Sequence, residues 1–89
     1  MQTATAATVS ISGRVLTPQG RGLTNALVYL TDQAGNTQVA RTSAFGAYRF
    51  ENIAAGQSVV VVVASKQYQY AAQVVNVGGE ISDLNFTSW

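Results

Sequence analysis

The chain has 89 residues, of which 47% are hydrophobic and 10% are charged, and it contains neither histidine nor cysteine. This composition fits one small globular domain. Without cysteine the chain has no disulfide scaffold and no thiol chemistry, and without histidine and cysteine it lacks the preferred ligands of zinc and copper. The net charge of +1 provides no electrostatic attraction toward nucleic acid or an anionic membrane, so neither is expected as a partner.

The N-terminal segment is predicted to lie outside the globular domain. Residues 1–8 are expected to form a leader or an extra strand, and residues 9–89 the domain itself. The leader is uncharged and has no leucine-rich core, so it does not resemble a secretory signal. We expect it to be flexible in an isolated monomer; the alternative is a strand that pairs with another molecule. The longest apolar run, Val59 to Ala64, is too short to cross a membrane, so no membrane insertion is expected.

Apolar and polar residues alternate with a period of two along most of the chain, which is typical of half-buried β-strands. Seven strands are predicted, over residues 8–17, 26–32, 37–42, 47–52, 57–65, 68–77 and 81–87. Their inward-facing residues include Val9, Ile11, Val15, Ala26, Val28, Leu30, Tyr48 and Phe50. The turn residues Gly35 and Gly46 are expected at positive φ. No segment has a helical period, so the pattern predicts an all-β sandwich or barrel.

No catalytic or metal-binding residues are predicted. The four acidic residues are Asp32, Glu51, Glu80 and Asp83. They lie at turns or on the polar face of a strand, and no two of them form a recognisable acid–base pair. No segment resembles a calcium loop, which needs clustered carboxylates, or a glycine-rich nucleotide-binding loop. We therefore expect no enzymatic activity and no cofactor.

Three aromatic residues are candidates for stacking on a sugar ring. Tyr68 and Tyr70 lie on one face of the predicted sixth strand, and Trp89 ends the chain. The alternative is that these rings pack in the core, with each tyrosine hydroxyl at its rim. Phe45, next to Gly46, is predicted at an exposed loop tip, where it would serve as an anchor for a partner.

The second and fifth strands are apolar on both faces, whereas a sandwich strand normally has one polar face. In the fifth strand Val60 and Val62 lie opposite the inward valines, and Leu27 and Tyr29 are their counterparts in the second strand. These four residues and Phe45 form the predicted interface. A continuous outer apolar patch usually marks an interface, and low charge leaves little to oppose association. We expect a homo-oligomer, a fibre subunit or contact with another protein; the alternative is that the valines only favour strand formation.

Several stretches of the sequence resemble the carboxypeptidase regulatory-like domain family. They are I-S-G-R-V-L-T-P-Q-G-R-G-L-T-N-A-L-V-Y-L, T-S-A-F-G-A-Y-R-F-E-N-I-A-A-G, V-V-N-V and L-N-F. The resemblance covers residues 9–87, and its matching positions are Gly13, Gly20, Ala26, Val28, Leu30, Thr42, Gly46, Tyr48, Phe50, Ile53, Gly56, Tyr68 and Phe86. Together with the strand pattern, it implies a seven-stranded Greek-key β-sandwich that is transthyretin-like or Ig-like.

The resemblance also implies a module without an active site of its own. The family occurs beside enzymes, in outer-membrane receptors and in secreted bacterial proteins, so an extracellular or cell-surface location of bacterial type is expected. The implied role is structural or interactive. Carbohydrate binding or adhesion, and service as an accessory domain of a larger secreted enzyme, are the alternatives.

The sequence departs from the family pattern at one turn and lacks one bond found in related domains. Ala44 and Phe45 stand before the loop glycine, where many relatives have Asp or Asn. Related Cna-B-type domains can carry an internal Lys–Asn isopeptide bond. Here the first strand has Arg14 and the only lysine is Lys66, so Asn85 has no donor and no such bond is predicted.

Overall fold

The computed structural model describes residues 8–88, which form two packed sheets without a helix. The strands are β1 (Thr8–Leu16), β2 (Leu27–Thr31), β3 (Thr37–Arg41), β4 (Ala47–Ala54), β5 (Gln57–Ala64), β6 (Gln73–Val77) and β7 (Phe86–Thr87). One sheet has the order β4-β1-β7 and the other the order β3-β2-β5-β6. The predicted all-β sandwich is confirmed, and its Greek-key connectivity stays a prediction. Residues 1–7 of the predicted leader and Trp89 lie outside the described residues.

The core lies between the two sheets and is built from their inward-facing side chains. Its buried apolar residues are Ile11, Val15, Ala26, Val28, Leu30, Tyr48, Phe50, Ile53, Val59, Val61, Val63, Tyr70, Val77 and Phe86. The inward positions predicted for the first, second and fourth strands all belong to this set except Val9, which is half-buried and packs against it. Period-two alternation therefore identified the buried face of these strands correctly.

A β-bulge between β1 and β4 changes which residues of these strands face the core. The register shifts between Val9 and Ile11, so that Ser10 opposes two residues of β4. The extra residue reverses the alternation, which brings Ile53 rather than Asn52 into the core. Asn52 accommodates the bulge with a φ of 62°. Ser10, which lies opposite the bulge, is buried although alternation along β1 places it on the face opposite Ile11.

The last two predicted strands are shorter than expected. β6 begins at Gln73 rather than at Tyr68, and β7 has two residues instead of the predicted 81–87. The backbone of Leu84 passes so close to Gly13 that a Cβ at this glycine would collide with the Leu84 carbonyl oxygen. Segment 81–85 therefore follows β1 through separated hydrogen bonds, such as Leu84 N to Ser12 O at 3.1 Å, and not through a regular ladder.

The two turn glycines adopt the predicted conformation for different reasons. Gly35 has a φ of 90° in the hairpin between β2 and β3, and a Cβ there would meet nothing within 4 Å. Gly46 has a φ of 79°, and a Cβ there would lie 2.5 Å from the Val15 carbonyl oxygen. Its own carbonyl accepts a hydrogen bond from Val15 N at 2.8 Å. Gly46 thus combines a left-handed backbone with a close approach to β1.

Candidate functional site

The register of the four-stranded sheet places the outward apolar residues on one surface. Tyr29 of β2 pairs with Val39 of β3 on one side and with Val62 of β5 on the other. Val60 of β5 pairs with Val74 of β6. Directly opposed residues of an antiparallel pair point to the same side of the sheet, and so do residues two apart along a strand. The apolar outer face, as we call it below, therefore comprises Leu27, Tyr29, Val39, Val60, Val62 and Val74.

The side chains of the apolar outer face are accessible to solvent. The exposed fraction is 56% for Val39, 72% for Val74 and 39% for both Val60 and Val62. Leu27 and Tyr29, on a central strand, are half-buried by their neighbours. The sheet thus presents apolar side chains from all four strands to water.

Polar side chains mark one end of this surface. The hydroxyl oxygens of Thr31 and Thr37 are 3.0 Å apart across the β2–β3 pair. Ser58 Oγ donates to Asn76 Oδ1 at 2.7 Å across the β5–β6 pair. Toward the opposite end, Arg41 pairs with Leu27 and is the one charged residue in the paired rows of this face. The surface therefore has an apolar centre and a defined polar boundary.

Four of the five residues of the predicted interface lie together on this surface, namely Leu27, Tyr29, Val60 and Val62. The fifth, Phe45, is in the turn between β3 and β4 and is 74% exposed, as expected for a loop tip. Two members were missed, Val39 and Val74. The sequence did carry a signal for Val74, because Val74 and Val75 are adjacent apolar residues, as in the fifth strand.

Two of the three aromatic residues predicted to stack on sugars lie among the described residues. Tyr68 and Tyr70 lie in the irregular segment before β6 and not on a shared strand face. Tyr70 is buried and its hydroxyl donates to Leu16 O at 2.9 Å; desolvation, with a contribution from Tyr68, raises its pKa. Tyr68 is half-buried and packs against the core. Trp89 lies outside the described residues. Tyr70 therefore packs in the core, as the alternative to sugar stacking expected.

The acidic residues are distributed among separate local contacts. Glu80 accepts a hydrogen bond from Ser10 Oγ at 2.7 Å, and Asp32 accepts one from Asn36 N at 2.9 Å. Glu51 pairs with Arg49 at 3.2 Å. Within residues 8–88, no group of three His, Cys, Asp or Glu side chains is placed to hold a metal ion. The same part of the chain has no helix with the length and hydropathy needed to cross a bilayer.

Comparison with known proteins is informative at the level of the family. The family model described as the carboxypeptidase regulatory-like domain matches residues 10–88. This range includes both sheets and nearly all of the described chain. A search of curated proteins finds no match.

Proposed function

Because this chain belongs to the carboxypeptidase regulatory-like domain family, whose small β-sandwich domains are non-catalytic in themselves, we propose that it is an interaction module that associates with further copies of itself. The observation that carries the proposal is the apolar outer face, to which all four strands of one sheet contribute. Soluble monomers rarely expose a contiguous apolar patch of this kind, because covering it removes apolar surface from water.

Charge favours a second copy as the partner. The chain carries a net charge of +1, so two copies repel one another only weakly. The apolar outer face holds no charged side chain, and Arg41 at its border is exposed, so it can remain hydrated in a complex. A two-fold arrangement brings the same patch of each copy together, which needs no second complementary surface. Face-to-face stacking of the four-stranded sheets is the arrangement we propose.

Light scattering over a range of protein concentrations tests this proposal. The parent chain is expected to grow in mass with concentration, and the double variant Val60→Lys, Val62→Lys is expected to remain monomeric. A matched control places two lysines on exposed positions away from the sheet, Gln19→Lys and Gln69→Lys. This control adds the same charge and is expected to associate like the parent.

A second variant separates association from folding. Val60→Thr with Val62→Thr keeps the β-branched shape that strands favour but makes the patch polar, so the fold should be retained. It is expected to associate more weakly than the parent. A parent that is monomeric at the highest concentration would refute the proposal, and so would a Val60→Lys, Val62→Lys variant with the parent's mass at every concentration.

A fibre and an extracellular location belong to the same proposal. In a fibre, the leader of one copy would add to a sheet edge of the next, and β3 and β6 offer open edges. A low content of charge and a surface of Ser, Thr, Asn and Gln are typical of extracellular β proteins. Deletion of residues 1–7 tests the leader separately, since dimers formed through the sheet face would survive it and longer assemblies would not.

A further inference from the structure

The three-stranded sheet borders an open cleft of about 530 Å³. Its walls come from β1, β4, the end of β3 and the segment before β7, and they include Arg14, Arg41 and Arg49 with Asp83 as the one acidic residue. The whole chain has five Lys and Arg residues, so more than half of its positive charge lies around this one cleft. We call it the arginine cleft.

Strand register explains how the cleft forms. Arg14 pairs with Ala47, and Ser12 pairs with Arg49, so these four side chains point outward from the same two strands. Ala47, which also lines the cleft, carries only a methyl group and so fills little of it. Gly13, buried between Ser12 and Arg14, has no side chain and allows the segment before β7 to approach and form a further wall.

The hydrogen bonds within the cleft hold its donors in place and leave some of them free. Arg14 donates from Nε and Nη2 to the Phe45 carbonyl oxygen, at 3.1 and 3.0 Å, which orients its guanidinium group and leaves Nη1 unused in these bonds. Asn85 Oδ1 accepts from Arg14 N at 2.9 Å, so its Nδ2 remains a donor. Arg49 pairs with Glu51 at 3.2 Å, with both side chains more than half exposed. Exposed ion pairs contribute little, so a ligand can displace this one.

We propose that the arginine cleft binds a sugar acid through its carboxylate group. A guanidinium group presents a planar fork of donors that matches a carboxylate, and it does so better than an ammonium group. The hydroxyl groups of Ser12 and Ser82 and the free Asn85 amide lie around the same space and suit sugar hydroxyls. The volume is in the range of small-molecule sites. The inference does not rest on the apolar outer face, although Arg41 lies at the border of both surfaces.

Titration of the isotope-labelled chain, followed by NMR chemical shifts, tests the proposal with glucuronate as the probe. The amide signals of Ser12, Arg49 and Asn85 are expected to shift and to saturate, while that of Val62 is expected to stay in place. Glucose has the hydroxyls without the carboxylate and should not bind. Acetate has the carboxylate without the hydroxyls and should bind more weakly than glucuronate.

Three variants assign any binding to the cleft. Arg41→Gln and Arg49→Gln should each raise the dissociation constant about tenfold or more, as expected for loss of a charge-assisted hydrogen bond. Arg21→Gln removes the same charge outside the cleft and should leave the constant unchanged. Arg14 is left intact because it also holds the Phe45 turn. Circular dichroism melting curves identify any variant that fails to fold.

Four results would overturn the proposal. Glucuronate that causes no saturable shifts would show that the cleft is not a site. An equal loss with Arg21→Gln would reduce the binding to general charge attraction. Glucose that binds as well as glucuronate would remove the role of the carboxylate. Acetate that binds as well as glucuronate would remove the role of the sugar hydroxyls.

Discussion

The outer faces of the two sheets differ in polarity: that of the three-stranded sheet is polar, whereas that of the four-stranded sheet is apolar. The three-stranded sheet follows the usual rule, because Ser12 and Arg14 of β1 and Arg49 of β4 point outward opposite a buried apolar face. The four-stranded sheet breaks it, since Tyr29 and Val62 at its centre are apolar and point outward as well. Folding needs only one apolar face for each sheet. The second apolar face of the four-stranded sheet is the feature on which the proposed association rests.

The sheets also differ in what holds their strands together. The four-stranded sheet is a regular antiparallel ladder in which each neighbouring pair is matched over five residues. The three-stranded sheet has a bulge, a two-residue parallel pairing and close backbone approaches at Gly13 and Gly46. The hydroxyl of Tyr48 adds a hydrogen bond to the Leu84 carbonyl. Single substitutions at these close approaches are therefore expected to disturb the three-stranded sheet more than surface changes disturb the regular ladder.

The largest expected effect comes from adding a side chain where the turn before β4 meets β1. Gly46→Val introduces strain at positive φ and a collision with the Val15 carbonyl, so we expect a loss of about 3 kcal/mol or more in the free energy of unfolding. Gly35→Val, in the hairpin of the four-stranded sheet, has the strain without the collision and should lose about 1–2 kcal/mol. Urea denaturation measures both. Equal losses would show that the close approach contributes nothing.

A smaller, pH-dependent effect is expected at Tyr48. Burial raises the pKa of its hydroxyl, so the folded state favours the neutral form. Its contribution to stability is complete below the ordinary tyrosine pKa of about 10 and is lost as pH rises above that value toward the raised pKa. At neutral pH, Tyr48→Phe should cost about 1 kcal/mol through the lost hydrogen bond to Leu84 O.

The difference between the parent and Tyr48→Phe should shrink above a pH of about 10, because only the parent has this hydroxyl to ionise. Urea denaturation at several pH values follows it. A difference that stays constant into alkaline solution would contradict the link between burial and ionisation at this residue.

The smallest effect on folding is expected at the polar end of the apolar outer face. Thr31→Val with Thr37→Val extends the patch and replaces an exposed hydroxyl pair, so stability should change by less than about 0.5 kcal/mol. Association should nevertheless begin at a lower protein concentration in light scattering. The matched control makes the same change on the three-stranded sheet, at the exposed residues Thr8 and Thr87. If the control gains more association than Thr31→Val with Thr37→Val, the interface lies on the three-stranded sheet and the proposed assignment is wrong.

Sequence reasoning predicted the fold well where the signal was local. Alternation identified the inward faces of β1, β2, β4 and β5, and the turn glycines Gly35 and Gly46 have the expected positive φ. It extended the sixth strand to Tyr68 and the seventh to Ile81, because both segments contain apolar residues at strand-like spacing. The limit of the seventh strand depends on the backbone of Leu84, which passes close to Gly13, a contact between residues far apart in the chain.

The apolar outer face was predicted only in part, because local alternation is visible in the sequence and strand pairing is not. That Leu27, Tyr29, Val60 and Val62 point away from the core follows from a period of two and needs only the sequence. These four residues lie on one surface with Val39 and Val74 because of which strands pair and in which register. Such pairing joins segments that are distant in the sequence. The arginine cleft had no sequence signal, since Arg41 lies far along the chain from Arg14 and in the other sheet.

The sequence by itself determined the family, the all-β class and the buried side of β1, β2, β4 and β5, because these depend on residue type and on local alternation. The tertiary structure decided the surfaces. Pairing across the four-stranded sheet assembled an apolar face from four separate strands, and pairing of β1 with β4 placed arginines around one cleft. Alternation assigns a side chain to one face of its own strand, whereas a surface requires neighbours that only the folded chain provides.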